Sequence, residues 1–510
     1  MRAVDRPVTE FELKFQIDPQ QRAAVEAAVG RGRSHVARLR ARYFDTADGA
    51  LAAQRIVLRL RKEGRTWWQT AKAPGGLLLE RHEHNVELPP ASAREVPVPR
   101  IERHEGTPVG ALIHDALRKA GHDPATVELV TLYGTDVRRT TREMRTGDAI
   151  VELAFDHGEV SAGERSHALC ELEIELKSGG PHSMLELARR WRHRYALWLD
   201  TVSKSARGER LARGARFGDP VKAEPPRLED AADDGPQVLC AVIKACLSQI
   251  LANASEVAAG SADAEHVHQL RVGIRRLRTA LREMAPLAPS LIDPAWESAL
   301  VTAFRALGRQ RDRDHLLQDV QPRLAAVGAP PIDWADEEPP PAPADVVRNA
   351  EFQNALLELV AATLPTEAAD DDTAGKPPAP PASARKSLRR QLSKLHRQVV
   401  RDGQRYEALE PQAQHRVRKR LKRLRYLGEF VAPLFGARDA KRYLKKLEPA
   451  QDALGLHNDN AVAIAAYRDN APHDGRSWFA VGWLSARQPA SAAECRKALD
   501  EIAKAVPFWK

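Results

Sequence analysis

Four stretches of this chain alternate with a period of two, three of them with charged side chains at every second position. In Glu10-Phe-Glu12-Leu-Lys14 an extended backbone puts two carboxylates and an ammonium on one face and Phe11, Leu13 and Phe15 on the other. Leu58-Arg59-Leu60-Arg61 gives a face with two guanidiniums, and Trp68, Thr70 and Lys72 share another. Glu171, Glu173, Glu175 and Lys177 line up in the same way. Carboxylates in such numbers suit a hard divalent cation, and clustered Arg and Lys suit phosphoryl oxygens. A sheet curled so that these faces turn inward would hold both sets in one lumen, a place for Mg²⁺ or Mn²⁺ bridging a phosphate chain. A solvent-facing sheet with cross-strand salt bridges accounts for any one of these strands, but poorly for all four.

A second chemistry is written twice. His268 to Arg278 (HQLRVGIRRLR) reappears at His415 to Arg425 (HRVRKRLKRLR), with cations at +3, +7, +8 and +10 from the histidine. These are Arg271, Arg275, Arg276 and Arg278, then Arg418, Lys422, Arg423 and Arg425. Leu307-Gly308 with Asp312 recurs as Leu454-Gly455 with Asp459 at the same offset, which points to a duplicated unit with a glycine-aspartate turn in each copy. On a helix, positions 0, +3, +7 and +10 span an arc of about 80° and a length of about 15 Å. Leu270, Ile274, Leu277 and Leu281 have the spacing of the buried face. An isolated charge run is usually a solvated face. Two matching runs with few interleaved acids favour an extended polyanion, with DNA, RNA and polyphosphate all open on this ground alone. Lys386, Arg390, Lys394 and Arg397 form a further basic stripe, roughly opposite Leu388, Leu392, Leu395 and Val399.

The elements that position these residues fall into two parts. Up to about Leu211 the pattern is short alternating segments with turns, as in an antiparallel β domain with helices. A Pro-rich, charged stretch follows (Pro220, Pro225, Pro226, Asp233, Asp234), and beyond Val238 the periodicity is helical throughout. Residues 329–344 and 364–382 read as loops. The expected division is 1–212, a linker 213–236, and a helical part 237–510 with repeats 237–362 and 383–510. The 510 residues carry +9 net charge from 78 cations and 69 acids, so local basic surfaces are expected rather than a uniformly basic protein. Cys170, Cys240, Cys246 and Cys495 show no C-x-x-C spacing and are too few for a disulfide scaffold. With no continuous run of 18 apolar residues and no signal-like N-terminus, the expectation is a cytoplasmic chain without a membrane partner.

The N-terminal residues resemble the CYTH, or triphosphate tunnel metalloenzyme, superfamily. The resemblance rests on Glu10-x-Glu12-x-Lys14, Tyr43-Phe-Asp-Thr46, Arg59-x-Arg61, Lys72, Arg81-x-Glu83, Val151 to Val160, Cys170 to Gly179 and Ser203 to Leu211. It implies an eight-stranded antiparallel β tunnel or barrel with helices, and metal-dependent hydrolysis of a triphosphate. By the same resemblance Glu10, Glu12, Asp156, Glu171 and Glu173 are metal ligands, with Glu175 as a substitute. Lys14, Arg59, Arg61, Lys72, Arg81 and Arg139 are phosphate holders, with Lys204 and Arg207 near the tunnel mouth. Asn85 departs from the family, many of whose members carry a glutamate there.

The C-terminal motifs resemble the CHAD family, through His268-x-x-Arg271, Leu307 to Asp314, His415-x-x-Arg418, Lys422 to Phe430 and Leu454 to Asp459. This implies an all-α part of duplicated four-helix bundles that binds inorganic polyphosphate, for which all three basic stripes and both histidines are candidates. The second stripe departs from the first at +14, where Arg282 is matched by Glu429. For the histidines a packing role competes closely with phosphate contact, and Asp312 and Asp459 are expected to cap helices or hold arginines. The whole is then an α+β multidomain protein, an inorganic triphosphatase joined to a polyphosphate-binding module associated with polyphosphate granules. The competing readings are a non-catalytic polyphosphate-binding protein and, with less support, a nucleic-acid binder. The helices lack the interleaved aromatics that single-strand stacking requires.

Overall fold

The computed structural model describes residues 8–74, 80–89, 96–228, 234–335, 340–364 and 383–510; the side chains of 8–10, 80, 81, 310–312 and 314 lie outside the described residues. Nine strands form one antiparallel sheet: β1 (Val8–Gln16), β2 (His35–Asp45), β3 (Val57–Glu63), β4 (Thr66–Pro74), β5 (Glu80–Leu88), β6 (Val130–Thr146), β7 (Ala149–Ala162), β8 (Arg165–Ser178) and β9 (Trp198–Leu199). Their order is β5-β4-β3-β2-β6-β7-β8-β1-β9. β1 also pairs with β5, Val8 to Phe11 against Glu83 to Glu80, so the pairing of the eight longer strands is cyclic. The ninth strand, not expected from the sequence, is a two-residue addition to β1 at Phe15 and Gln16.

The sheet is inverted relative to an ordinary β core. Leu13, Phe15, Leu58, Leu60 and Ala71 are buried on the outer face, and charged residues occupy the inner one. Helices cover the outside: Ile113, Ala116 and Leu117 of the helix Pro108–Lys119 pack with Leu58 and Ala71. The Asp45 carboxylate accepts from the backbone N–H groups of Thr46, Leu51 and Ala52, tying the end of β2 to the short helix Ala50–Ala53. Behind β4 and β5 lies a buried polar chain. Gln69 Oε1 accepts from Arg100 N and Arg103 Nη1, which fixes its amide orientation. Its Nε2 donates to Arg100 O and to His104 Nε2. His104 must therefore carry its proton on Nδ1, which donates to His84 Nδ1 at 2.9 Å.

Beyond residue 234 every regular element is helical among the described residues. Helices Gly235–Ala258, Ala264–Glu283, Pro294–His315 and Ala350–Ala361 fall in the stretch expected as the first repeat. Helices Ala384–Gly403, Pro411–Phe435, Ala437–Asn470 and Ser477–Ala503 pack each on the next and the last on the first, as a four-helix bundle. Leu270, Ile274, Leu277 and Leu281 are buried as their spacing requires. The expected glycine-aspartate turns are absent, because Gly308 and Gly455 both lie inside long helices. In the first copy the glycine makes room: a Cβ at Gly308 would press on the Arg271 guanidinium, which donates to Leu307 O at 3.0 Å. Among the described residues one helix, Gly235–Ala258, is long and apolar enough to cross a membrane, with mean hydropathy 1.6, although polar residues such as Lys244 and Gln249 interrupt its apolar run. Two thirds of that apolar stretch is buried inside the protein, as in a core helix.

Two compact units emerge. One comprises Met1–Val221 with Leu251–His266 and Val347–Leu364, and the other Lys222–Ile250, Val267–Val346 and Pro365–Lys510.

Candidate active site

Strand register alone assembles the acidic wall. Arg139 lies opposite Asp156, Asp156 opposite Glu171, and Glu171 opposite Gln16, one row across four strands. The next row is Ala154, Glu173 and Lys14, and the third is Glu152, Glu175 and Glu12. Carboxylate oxygens of Asp156, Glu171 and Glu173 lie within 4.8 Å of one another. Glu171 Oε1 is buried and, apart from its ion-pair contact with Lys204, makes no hydrogen bond. An all-oxygen donor set with such an atom fits a hard divalent cation.

The opposite wall is basic. Tyr43, Arg59, Thr70 and Asn85 form one cross-strand row, and Val57, Lys72 and Glu83 form another. Lys72 pairs with Glu83 at 2.6 Å. Asn85, noted above as a departure from the resembled family, accepts from Thr70 Oγ1 and donates to Glu83, so it links the two rows without adding charge. Burial works to lower the Arg59 pKa, but Tyr43 and Glu83 outweigh it and hold the guanidinium above its ordinary value. For Arg61 the balance is reversed: burial, then the charges of Arg59 and Arg139, outweigh Glu63 and Glu83 and push it down to about 10. The Nε atoms of Arg59 and Arg61 are buried without hydrogen-bond partners. Crowded guanidiniums with unused donors are a site short of anions.

Between the walls lies a cavity of about 740 Å³. It is lined by Glu12, Lys14, Arg59, Arg61, Lys72, Arg139, Asp156, Glu173, Glu175 and Lys204 of the sequence-expected set. Glu171 lies behind this lining, fully buried. Glu10 and Arg81 face each other in the β1–β5 pairing, and their side chains are outside the described residues. Lys14 does not join the basic wall. It donates to Val202 O and stands 3.7 Å from Asp200 and 3.9 Å from Glu171.

The helix Lys204–Ala212 inserts a cation into the acidic wall. Lys204 Nζ lies 2.7 Å from Asp156, 2.6 Å from Glu173, and in contact with Glu171. Burial opposes its charge, and these three carboxylates outweigh burial, holding the ammonium well above its usual range. Arg139 pairs with Asp156 and Glu173. For Glu173, burial is likewise overcome by Lys204 and Arg139, and its carboxyl is held well below the usual range. Arg207 lies behind the lining, paired with Asp200. Asp200, which also accepts from Gln16 at 2.7 Å, was not anticipated, because nothing in its local sequence sets it on a strand face. Glu152 was also missed, though Glu152 and Asp156 share a period-two face of β7 that could have revealed it.

A CYTH domain model matches residues 9–208 and a CHAD domain model matches residues 241–468. The chain joins a CYTH domain to a CHAD domain. The inorganic triphosphatase of Haemophilus influenzae is 28% identical over 166 residues, 32% of this chain and 44% of that protein, so the chain spans less than half of that relative. Among solved structures, the CHAD domain of Ricinus communis is 26% identical, with 55% of this chain and 96% of that one covered and a TM-score of 0.44. The Hippeastrum protein HpAC1, described as having a dominant triphosphatase activity, is 20% identical, with 40% and 96% covered and a TM-score of 0.29.

In the CHAD domain the repeated basic stripes are largely engaged with the protein itself. Arg271 and Arg276 are buried, the first against Phe304 and the second against Phe430 and paired with Glu429. Arg275 also approaches Phe304. Arg278 pairs with Glu297, Arg423 with Glu283 and Arg425 with Glu429. The acids come from other helices or from one turn away, so scarcity of acids within the stripes did not reveal them. Arg418 lies 3.9 Å from Asp459, in line with the expected arginine-holding role, whereas the Asp312 side chain is outside the described residues. His268 and Lys422 are half-buried, and His415 is exposed beside Asn458. By contrast Lys386, Arg390, Lys394 and Arg397 are all exposed and make no ion pair among the described residues.

Proposed function

We propose that the CYTH domain hydrolyses inorganic triphosphate, or the end of a longer polyphosphate, with Mg²⁺ or Mn²⁺. The observation that carries this reading is one cavity with a three-carboxylate cluster on one wall and the crowded pair Arg59 and Arg61 on the other. Asp156, Glu171 and Glu173 would hold the cation. When bound, it supplies Lewis acidity that neutralises the phosphate chain and activates water. Arg59, Arg61 and Lys72 bind and align phosphoryl oxygens, and the anion offsets the burial and the repulsion that lower the Arg61 pKa. Positioning and charge neutralisation are the main demands of phosphoryl transfer, and these side chains meet them without a protein nucleophile. The similarity to the Haemophilus triphosphatase supports the same substrate class.

The CHAD domain, on the same proposal, binds inorganic polyphosphate chiefly through the exposed stripe Lys386, Arg390, Lys394 and Arg397. It would hold a cytoplasmic enzyme at polyphosphate granules and raise substrate concentration at the tunnel. A non-catalytic phosphate-gripping tunnel is the competing reading, and it draws on Lys204, whose ammonium already sits among the carboxylates. Phosphate release from triphosphate separates the two: turnover that needs added Mg²⁺ or Mn²⁺ supports hydrolysis, and metal-independent binding without turnover supports gripping.

A further inference from the structure

The segment that brings Asp200 and Lys204 into the cavity is short and has little sheet to hold it. Its strand, β9, is two residues long and pairs only with the end of β1. On its inner side Asp200 N donates to Lys14 O, and Asp200, Thr201, Ser203 and Lys204 line the cavity. Its outer side is fixed by residues far along the chain, in the stretches 251–266 and 347–364 that belong to the same compact unit.

Two of these contacts are made to the backbone. Ser255 Oγ gives its one proton to Leu251 O at 2.8 Å, so it accepts from Thr201 N at 3.0 Å and stands 3.2 Å from Thr201 Oγ1. Gln353, 1% exposed, donates through Nε2 to Val347 O, and its Oε1 accepts from Leu199 N at 2.8 Å. Both acceptors are thus oriented by a second hydrogen bond before they meet the segment. Two further clamps flank them: Arg348 stacks on Trp198 at 4.3 Å, and Arg210, on the same helix as Lys204, pairs with buried Glu256 at 2.6 Å. Neither Ser255 nor Gln353 lines the cavity.

We infer that Ser255 and Gln353 are positioning residues of the tunnel, holding Leu199 and Thr201 so that Asp200 and Lys204 stand at the carboxylate wall. For its effect on turnover the inference rests on the triphosphatase reading above. Arg59, Arg61 and Lys72 sit on long strands that these contacts do not touch, so substrate binding should change less than the chemical step.

Ser255→Ala and Gln353→Met each leave one backbone N–H without its acceptor. Glu358→Ala is the control, because Glu358 lies in the same stretch as Gln353 and pairs with Arg189 at 3.2 Å, away from the segment. In the full chain, amide hydrogen exchange over residues 199–207 should rise about tenfold in the first two variants and stay unchanged in the control. For triphosphate with Mn²⁺, kcat should fall about tenfold while KM stays within about threefold. Unchanged exchange in both variants, faster exchange without slower turnover, or an equal response in Glu358→Ala overturns the inference. If the parent protein releases no phosphate from triphosphate, the hydrolytic reading falls and the exchange comparison alone decides whether the two residues position the segment.

Discussion

On the proposed reading, Lys204 and a divalent cation would compete for the same oxygens. Its ammonium contacts Asp156, Glu171 and Glu173 at once, and its raised pKa keeps it charged across the physiological range. Lys204→Met should therefore strengthen Mn²⁺ binding by about tenfold or more in calorimetry. It should also destabilise the metal-free protein by roughly 3 kcal/mol, because the buried carboxylates of Asp156 and Glu171 and the half-buried one of Glu173 lose a partner. Equal Mn²⁺ affinity in variant and parent would show that the lysine does not occupy the cation's place. Individual charges were legible in the sequence wherever a long strand carried them: the period of two in Glu12-x-Lys14, Arg59-x-Arg61 and Glu171-x-Glu173 was enough to put them on one face. It could not say which wall each would serve. Lys14 shares its face with carboxylates and ends against Val202 O and Asp200, a pairing that exists only once β9 has folded onto β1.

Elements set the tolerances of this site. Gly208 lies in the helix that carries Lys204 and Arg207, and a Cβ there would overlap the ring of Tyr133, which stacks on Tyr43 with centroids 4.6 Å apart. Gly208→Ala favours the helix intrinsically yet forces it off the sheet. Triphosphate turnover should fall at least tenfold with the far-UV spectrum preserved, and full activity would show that the helix is free to shift. The strand pair β4–β5 has its own weak point in His104, whose pKa burial, then His84 and Arg103, push down to about 4. The folded state therefore resists a proton that the unfolded chain takes up near pH 6.5. Stability should drop by up to about 3 kcal/mol as pH falls from 6.5 to 4, and be regained as pH rises. Urea titrations of the parent and His104→Gln across that window check this: the variant should lose most of the slope, and a parallel slope would assign it to other groups. Strands and helices were readable from period two and period 3.6, whereas the continuity of the helices through Gly308 and Gly455 was not. Gly308 and Gly455 look like helix ends, and only the Arg271 side chain lying against Gly308 explains a glycine inside the first helix.

At the scale of the whole molecule, the proposal gives one chain two chemistries, and they should be separable. Replacing Lys386, Arg390, Lys394 and Arg397 with glutamate should weaken long-chain polyphosphate binding by at least tenfold and reduce its salt dependence. Triphosphate turnover should stay within about twofold. The same replacement at Arg276 or Arg423 should instead unfold the domain, because those cations meet Glu429 and Glu283 within the helical packing. The division into a β part and a helical part was plain from the change of period after residue 236. The inclusion of 251–266 and 347–364 in the tunnel's compact unit was not, since those stretches keep ordinary helical periodicity and differ only in what their side chains meet. The central claim is that the opposed walls of the tunnel form a metal-dependent triphosphatase, and phosphate release from inorganic triphosphate by the full chain tests it most directly. With Mg²⁺ or Mn²⁺ the parent should turn over, the metal-free protein should not, and Glu12→Gln or Glu173→Gln should lose about 100-fold or more. No release by the parent under any of these conditions, or undiminished release by both variants, would contradict it.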